Sequence, residues 1–398
     1  MTRLVAGIVL LVACSRSTPP ADDRVAAWRD DLRVLATTLA DRHANAFFQL
    51  PEADWRRAVA DLDQRIPTLD DAHVTAGLAR LVASIGDAHT RIAVLGRGGT
   101  YPLRLLWFAD GIFVAGAEAS WAIGRRVTAV DGHAVDEVIA RLAPLVSHDN
   151  PAGLHDELPY LIADPAMLAG ADLIAAPDHA TFTLADGAGA TRALEVHPGH
   201  ALVPVAPPAV LPLHLQGPET YYWNKYLAPE RLLYFAYTAC ADDTRVGPLA
   251  AFAASTLAFA DQHPVDRFVI DLRANGGGNS RVLAPLIDGL ASRPALAGKV
   301  YVLIGMHTFS SAMLNAMELK RQVHAVLVGG PTGGKPSGYG EIQTFELPHS
   351  KLKVQYSTKL FSNPDFPGDA VEPDVPVTVM AADWFSGRDP AIDAILAR

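Results

Sequence analysis

Three hydroxyl side chains lie where a predicted buried strand gives way to a predicted helix. Thr308, Ser310 and Ser311 follow the apolar run 302–304 and open the helical stretch 311–319. A serine at such a junction can expose its hydroxyl beside the free N–H groups of a helix start, which suits nucleophilic attack on a carbonyl. A lone serine at a helix start is more often an N-cap. Local sequence therefore leaves Ser310 as either a nucleophile or a cap.

A glycine-rich loop follows an earlier strand of the same kind. The predicted strand 268–272 runs into residues 273–279, which read R-A-N-G-G-G-N. Glycine allows backbone N–H groups to approach a ligand closely, so the loop could hold a phosphate or stabilise an oxyanion. The segment lacks the Lys-Ser/Thr of a P-loop and the glycine spacing of a dinucleotide site. By itself it also fits an ordinary strand-to-helix turn.

Taken together, these motifs resemble the catalytic domain of the tail-specific (C-terminal processing) serine proteases, peptidase family S41. The chain has D-L-R-x-N-x-G-G at 271–278, T-F-S-S-A at 308–312 and V-G-G-P-T-G-G-K at 328–335. The resemblance implies that Ser310 is the nucleophile and that no cofactor is needed. It also implies an oxyanion hole formed by the N–H groups of Gly277 and Ser311, with Asp271 and Arg273 holding the loop by an ion pair.

In that family the serine pairs with a lysine 25 positions downstream, which is Lys335 here. A lysine acts as a base only when its surroundings lower its pKa from ~10.4 toward the working pH. Bacterial processing proteases carry a glutamine four residues after the lysine to orient it, whereas this chain has Tyr339. The structural alternative for Lys335 is a solvated loop lysine.

A second candidate base is His89, in the loop D-A-H-T at 87–90. It stands in a place that resembles that of the catalytic histidine of tricorn-type relatives. Its unperturbed pKa of ~6.5 suits a base, and Glu341 or Glu372 could orient it. His89 could equally cap the end of the preceding helix. The 25-residue spacing favours Lys335, and both residues stay candidates.

Three regions must position these residues, which makes the chain a multidomain α/β protein. Residues 25–94 repeat apolar side chains at helical spacing and predict a helical bundle. Residues 95–200 alternate short strands and turns with a helix at 135–142, and resemble a PDZ-like module that adds a peptide to a sheet edge. The stretch 148–177 is longer than such a module needs and implies an insertion or a degenerate module.

The third region, 201–398, alternates short apolar strands with helices, as expected for strands buried on both faces. By resemblance it is an α/β catalytic domain of the crotonase/ClpP-like type. A hairpin over 342–356 is predicted to extend its sheet.

The N-terminus reads as a lipoprotein signal peptide, residues 1–14. Arg3 precedes the apolar run 4–13, which is much shorter than the ~20 residues that a membrane-spanning helix needs. The run ends in L-V-A-C at 11–14, which resembles a bacterial lipobox with Cys14 as the lipidated residue, followed by a tether at 15–24. The absence of Asp after Cys14 resembles outer-membrane sorting, facing the periplasm. The alternative is an ordinary cleaved signal with an incidental cysteine.

Composition and residue spacing argue against a nucleic-acid partner, a disulfide framework and a metal site. The formal net charge of −10, without a Lys/Arg cluster, disfavours a nucleic-acid partner. Two cysteines predict no disulfide framework, and Cys240 is expected in the core. His307 and His324 lack metal-ligand spacing, so no metal is predicted.

The sequence therefore predicts a lipid-anchored serine endopeptidase that binds extended polypeptides and forms an acyl-enzyme at Ser310. The alternative is a lipoprotein on the same fold that binds peptides or small ligands without catalysis. An acyl-CoA hydratase-like enzyme shares the α/β core but explains neither the lipobox nor the Ser310 and Lys335 pair.

Overall fold

A computed structural model describes residues 21–200, 203–208 and 210–398. The predicted signal peptide, Cys14 and most of the tether lie outside these described residues. Among the residues that the structure describes, no helix is both long and apolar enough to cross a membrane.

The first region is helical, as its periodicity predicts. Its helices are α1 (Ala21–Arg42), α2 (Glu52–Arg65) and α3 (Asp71–Ala83). The apolar stripe of each helix is buried, and Leu35, Leu39 and Leu78 have no exposed surface. Burial of about three such side chains contributes roughly 5–9 kcal/mol before chain ordering is counted. The helices therefore hold together through one apolar seam.

An antiparallel sheet follows. Its strands are β2 (Leu103–Phe108), β3 (Gly111–Ala117), β4 (Arg126–Val130), β6 (Ala180–Ala185) and β7 (Thr191–Val196), in that spatial order; the short β1 (Arg91–Ile92) precedes them, and β5 (His133–Ala134) pairs with β4. Helix α4 (Val135–Leu142) begins and ends where the sequence predicts it. The outer strand of this sheet, β7, exposes Thr191 to Ala193.

The long stretch after α4 forms two further helices. They are α5 (Pro151–Ile162), capped by Asn150, and α6 (Pro165–Gly170), capped by Asp164. Helix α6 packs so tightly on α3 that a Cβ added to Gly170 would lie 2.5 Å from the carbonyl oxygen of Ala72. This insertion therefore joins the helical region to the antiparallel sheet, and a single buried apolar cluster runs through both.

The C-terminal region is an α/β layer. Its strands are β8 (Tyr222–Leu227), β9 (Leu232–Tyr237), β10 (Arg267–Asp271), β11 (Val300–Ile304), β12 (Val326–Gly329), β13 (Gly338–Glu346), β14 (Lys353–Phe361) and β15 (Val375–Pro376). Its helices are α7 (Leu249–Gln262), α8 (Ala284–Ala291), α9 (Ser311–Val323), α10 (Ala381–Ser386) and α11 (Pro390–Leu396). Six strands form one sheet in the order β15-β12-β11-β10-β9-β8, parallel except at β8. Apolar clusters cover both faces, which explains the unbroken apolar strands and confirms the α/β multidomain class.

The predicted hairpin exists, but the expectation that it extends this sheet is wrong. Strands β13 and β14 pair with β1 instead and form a separate three-stranded antiparallel sheet. The reason is that β15 already occupies the edge beside β12, with Val375 opposite Val328. The hairpin is therefore free to reach the end of the helical region, and it carries the loop at 87–90 to the α/β layer.

A buried ion pair ties the end of β10 to the last helix. Arg273 donates to Asp271 at 2.6 Å and to Asp389 at 2.8 Å, and Asp389 also caps α11. Tyr234 donates a further hydrogen bond to Asp271 at 2.7 Å. The two carboxylates are only 5% and 8% exposed. The ion pair expected between Asp271 and Arg273 is therefore present, and Asp389 enlarges it.

Replacing Arg273 by Met should lower the free energy of unfolding by about 3 kcal/mol, because two buried carboxylates lose their guanidinium. Urea denaturation at pH 7 measures this loss. The control is Arg293→Met, which removes a similar bidentate contact, at 2.9 Å, to a half-exposed Asp261. That variant should lose less than about 1 kcal/mol. Equal losses in the two variants would contradict the structural role assigned to Arg273.

Candidate active site

Three hydroxyl groups meet at the junction of β11 and α9, and two of them are engaged in structural hydrogen bonds. Thr308 Oγ1 donates to the Leu272 carbonyl at 2.9 Å, and Ser311 Oγ donates to the Gly278 carbonyl at 2.7 Å. Ser310 precedes the first residue of α9, yet its side chain makes no capping hydrogen bond. Among the described residues, Ser310 Oγ is the hydroxyl of this group that remains available for chemistry.

The backbone at Ser310 is strained. Its φ of 51° and ψ of −125° lie in a region that residues with a side chain rarely adopt. Such a turn between a strand and a helix projects the serine hydroxyl away from the sheet, as it does at the nucleophile of α/β-hydrolases. Ser310 is also partly exposed, so a substrate can reach it.

The glycine loop after β10 lies directly against this turn. Gly277 has a φ of +112°, and a Cβ added there would lie 2.7 Å from the Cβ of Ser310. The buried Asn275 holds the loop, because it donates to the Tyr237 carbonyl and its own carbonyl accepts the Phe309 N–H at 3.1 Å. The N–H of Gly277 donates to Asn275 Oδ1 at 2.9 Å. The N–H of Ser311 has no hydrogen-bond acceptor within the described residues.

His89 lies on the other side of the same turn. Its side chain is 14% exposed, and its ring packs at a tilt against Phe309, the residue before Ser310, at a centroid distance of 4.3 Å. Its backbone is held at both ends: the N–H donates to Asp87 Oδ1, and the carbonyl accepts from Gln355 of the hairpin at 2.8 Å. Its Nδ1 is buried without a hydrogen-bond partner in the described part of the chain and lies 3.9 Å from Asp87 Oδ1.

The burial of His89 favours a neutral imidazole. Burial lowers the pKa of His89 below 6.5 and, together with Arg91, outweighs the opposing effects of the Asp87 carboxylate and the Tyr339 backbone. Burial also acts to raise the pKa of Asp87, but hydrogen bonds from His43, Ser357 and Thr90 hold it below its usual range. A neutral histidine beside an ionised carboxylate is the state that a general base requires.

Lys335 reaches the same area by its backbone, while its ammonium group points elsewhere. Nζ lies 2.6 Å from Asp369 Oδ1 in an ion pair whose side chains are 38% and 66% exposed. Within the described residues, no hydrogen bond joins Ser310 Oγ to Lys335 or to His89. Tyr339, which stands in place of the family glutamine, packs its ring on His43 and Phe48 at 5.2 and 4.6 Å.

Within the described residues, no hydrogen bond or ion pair joins His89 to either of the two glutamates considered as its partners. Glu341 is exposed and pairs with Lys359 at 3.6 Å, and Glu372 is exposed. Asp87 is the carboxylate that lies near the imidazole. The sequence contained a signal for it, because Asp87 stands two residues before His89 in the same short loop.

A small cavity of about 130 Å³ opens beside Phe309 and Gly276. Helix α5 supplies two carboxylates to it. Asp156 pairs with His307 at 2.7 Å and raises the pKa of that histidine, and Glu157 pairs with Arg91. Sequence reasoning missed these α5 residues, since nothing in their spacing relates them to a serine that is about 150 positions away.

Comparison with solved structures shows the fold. The chain resembles mature CPAF complexed with lactacystin, with a TM-score of 0.68 and 15% identity over 94% of this chain and 98% of that one. Mature CPAF itself matches with a TM-score of 0.64 and 14% identity over 94% of this chain and 96% of that one. The photosystem II D1 C-terminal processing protease matches with a TM-score of 0.45 and 15% identity over 92% of this chain and 98% of that one. No curated protein matches the sequence.

A family profile described as Peptidase family S41 matches residues 288–377. This segment runs from within α8 to just beyond β15, and it contains Ser310, Lys335 and the hairpin that contacts the His89 loop. The profile match and the shared fold agree with the motifs on either side of Ser310. The chain therefore contains a segment that matches the profile of peptidase family S41, within a fold that is similar to that of CPAF, and the two findings together support a serine-type peptidase.

Proposed function

We propose that this protein is an endopeptidase that cleaves extended polypeptides through an acyl-enzyme on Ser310. The observation that carries the proposal is the state of the hydroxyls after β11. Thr308 and Ser311 use theirs to hold the loop, whereas Ser310 keeps its own hydroxyl free on a strained backbone. Strain of this kind costs roughly 1–3 kcal/mol, persists only where the surrounding structure holds it, and clusters at functional sites.

We assign the role of general base to His89 rather than to Lys335. The His89 ring is packed on Phe309 and is kept neutral by burial, and Asp87 lies beside it. The ammonium of Lys335 is instead ion-paired with Asp369 on the surface. Catalytic hydrogen bonds often reach their full alignment only when substrate is bound, so the missing Ser310 to His89 bond is compatible with this role.

The chemistry would proceed in two steps. Ser310 Oγ attacks the scissile carbonyl as His89 accepts its proton, and the Ser311 N–H stabilises the oxyanion. The Gly277 N–H would serve as the second donor, shared with Asn275 Oδ1. His89 then protonates the leaving amine as the peptide C–N bond breaks. In the second step His89 deprotonates a water that attacks the acyl carbonyl, and it returns that proton to Ser310 Oγ as the ester bond breaks.

The antiparallel sheet offers a route by which an extended substrate could be held. Its outer strand β7 exposes residues 191–193, and a peptide can add to such an edge through backbone hydrogen bonds. A PDZ-like role for residues 95–200 is therefore part of the proposal. The lipobox adds that the enzyme is anchored through a lipid on Cys14 in the cell envelope, at the outer membrane and facing the periplasm.

Ser310→Ala should reduce cleavage of casein or of a quenched fluorescent peptide by at least about 10³-fold, because no acyl-enzyme can form. Ser292→Ala is the matched control, since that hydroxyl only donates to a nearby carbonyl on the surface. Full activity of Ser310→Ala would refute the mechanism and favour a binding role for the fold.

Comparison of His89→Ala with Lys335→Ala identifies the base. Loss of His89 should lower kcat by at least about 10²-fold, as expected for a general base. Loss of Lys335 should lower kcat by less than about tenfold, because this substitution removes only an exposed ion pair. Thermal melting of both variants reports whether they remain folded. The reverse order of activities would return the base role to Lys335.

The pH dependence of kcat/KM is an independent test of His89 as the general base. The base must be neutral and the pKa of His89 lies below 6.5, so activity should rise with pH through that acidic range and level off above pH 7. The assay is peptide cleavage between pH 5 and 9 at constant ionic strength. Activity that keeps rising steeply above pH 8 would argue against a histidine base.

A further inference from the structure

A single carboxylate joins the loops that carry the two candidate bases. Asp149 Oδ1 accepts the Ala88 N–H at 2.8 Å, and Asp149 Oδ2 accepts the Lys335 N–H at 3.1 Å. Ala88 directly precedes His89, so each oxygen holds the backbone beside one candidate base. These contacts span 61 and 186 positions of the chain.

We propose that Asp149 is a positioning residue that holds the His89 loop and the Lys335 loop in their working arrangement beside Ser310. The proposal rests on the peptidase mechanism above and adds a residue to it. Asp149 touches no reacting atom, so its effect passes through the backbone of its two partners.

The next residue strengthens the same junction. Asn150 donates to the Thr332 carbonyl at 3.0 Å and to the Asp369 carbonyl at 2.7 Å. Its Oδ1 accepts the Gly153 N–H and caps α5. Both Asp149 and Asn150 therefore hydrogen-bond the Lys335 loop or its neighbour Asp369. Of these two residues, Asp149 is the one that also hydrogen-bonds the His89 loop.

The geometry requires two acceptors at this position. An ionised carboxylate offers an acceptor oxygen to each N–H, whereas an asparagine offers one oxygen and turns an NH₂ group toward the other donor. An Asp149→Asn variant can therefore keep one of the two contacts but not both.

The surroundings of Asp149 disfavour the ionised form of its carboxyl group. Burial and the neighbouring Asp87 raise its pKa to about 6, although the Ala88 and Lys335 N–H groups and Arg91 act in the opposite direction. The two neighbouring basic side chains have other partners. His148, which directly precedes Asp149, hydrogen-bonds the Val146 carbonyl, and the Lys335 ammonium pairs with Asp369.

The raised pKa has a consequence for stability. A carboxyl group whose folded pKa exceeds its ordinary 3.8 stabilises the fold most at low pH and loses that contribution as pH rises through about 6. The ionised form that makes both bonds is therefore the less stabilising one. Removing the charge at pH 8 should not by itself unfold the protein.

The test compares wild type with Asp149→Asn and with a matched control, Asp164→Asn. Asp164 also accepts two backbone N–H groups, from Gly96 at 2.8 Å and Met167 at 3.0 Å, and its pKa is raised by burial. It caps α6 and, in the described part of the chain, makes no hydrogen bond to the His89 loop or the Lys335 loop. Full-length protein is assayed for peptide cleavage from pH 5 to 8, for thermal melting and for hydrogen–deuterium exchange.

Asp149→Asn should lower kcat by ten- to 100-fold at pH 8 with KM changed less than threefold, because misplaced groups lose rate more than binding. The acid limb of its profile should lose the step near pH 6 that the ionisation of Asp149 contributes. Amide exchange should accelerate at least fivefold in segments 86–90 and 333–337. Asp164→Asn should match wild type in all these measurements of the site.

Wild-type exchange at both segments in Asp149→Asn would overturn the proposal, as would an unchanged kcat and pH profile in an otherwise active enzyme. If Ser310→Ala were fully active, the peptidase mechanism would fail, and the exchange measurement would still decide whether Asp149 joins the two loops. A similar loss of activity in Asp164→Asn would show a general effect of buried carboxylates and would also count against the proposal.

Discussion

The guanidinium of Arg273 lies between two buried carboxylates, and the loop that shapes the candidate active site begins at this contact. Asp271 ends β10 and Asp389 caps α11, so the ion pair fixes a central strand to the last helix. An ion in this position is tolerable only while its partners remain, because desolvation is costly. The backbone that follows is thereby held, and its carbonyls at Leu272 and Asn275 receive Thr308 and Phe309.

The strained turn at Ser310 depends on that support. A non-glycine residue with a φ of 51° would relax unless its neighbours were fixed. Thr308 and Ser311 hold it from either side through their hydroxyls, and Gly277 leaves the space that any side chain would fill. Sequence elements that look interchangeable, three hydroxyls and three glycines, thus have different physical tasks.

The site is assembled from distant parts of the chain. Pairing of β1 with β14 brings the His89 loop to the α/β layer, and the insertion after α4 joins that loop to Lys335 through Asp149. The cost is a partly buried carboxylate and an imidazole Nδ1 that lacks a partner within the described residues. Such costs are typical of functional sites, where local rules are broken and stability is supplied elsewhere.

Local pattern was enough to predict much of this protein. The apolar runs of β9 and β11, the helical stripes, the limits of α4 and the strand-to-helix turn at Ser310 follow from propensity and periodicity, which act over a few residues. The resemblance to peptidase family S41 also followed from the sequence, because its motifs lie in short segments.

Contacts between distant segments were decided by the tertiary structure. The sequence by itself predicted that a serine, a glycine loop, a lysine and a histidine could form one catalytic site. It did not determine that the hairpin would pair with β1, that the Lys335 ammonium would point to Asp369, or that Asp149 would join two loops. Those outcomes depend on which edges and donors remain free once the layers pack, and no local pattern encodes that competition.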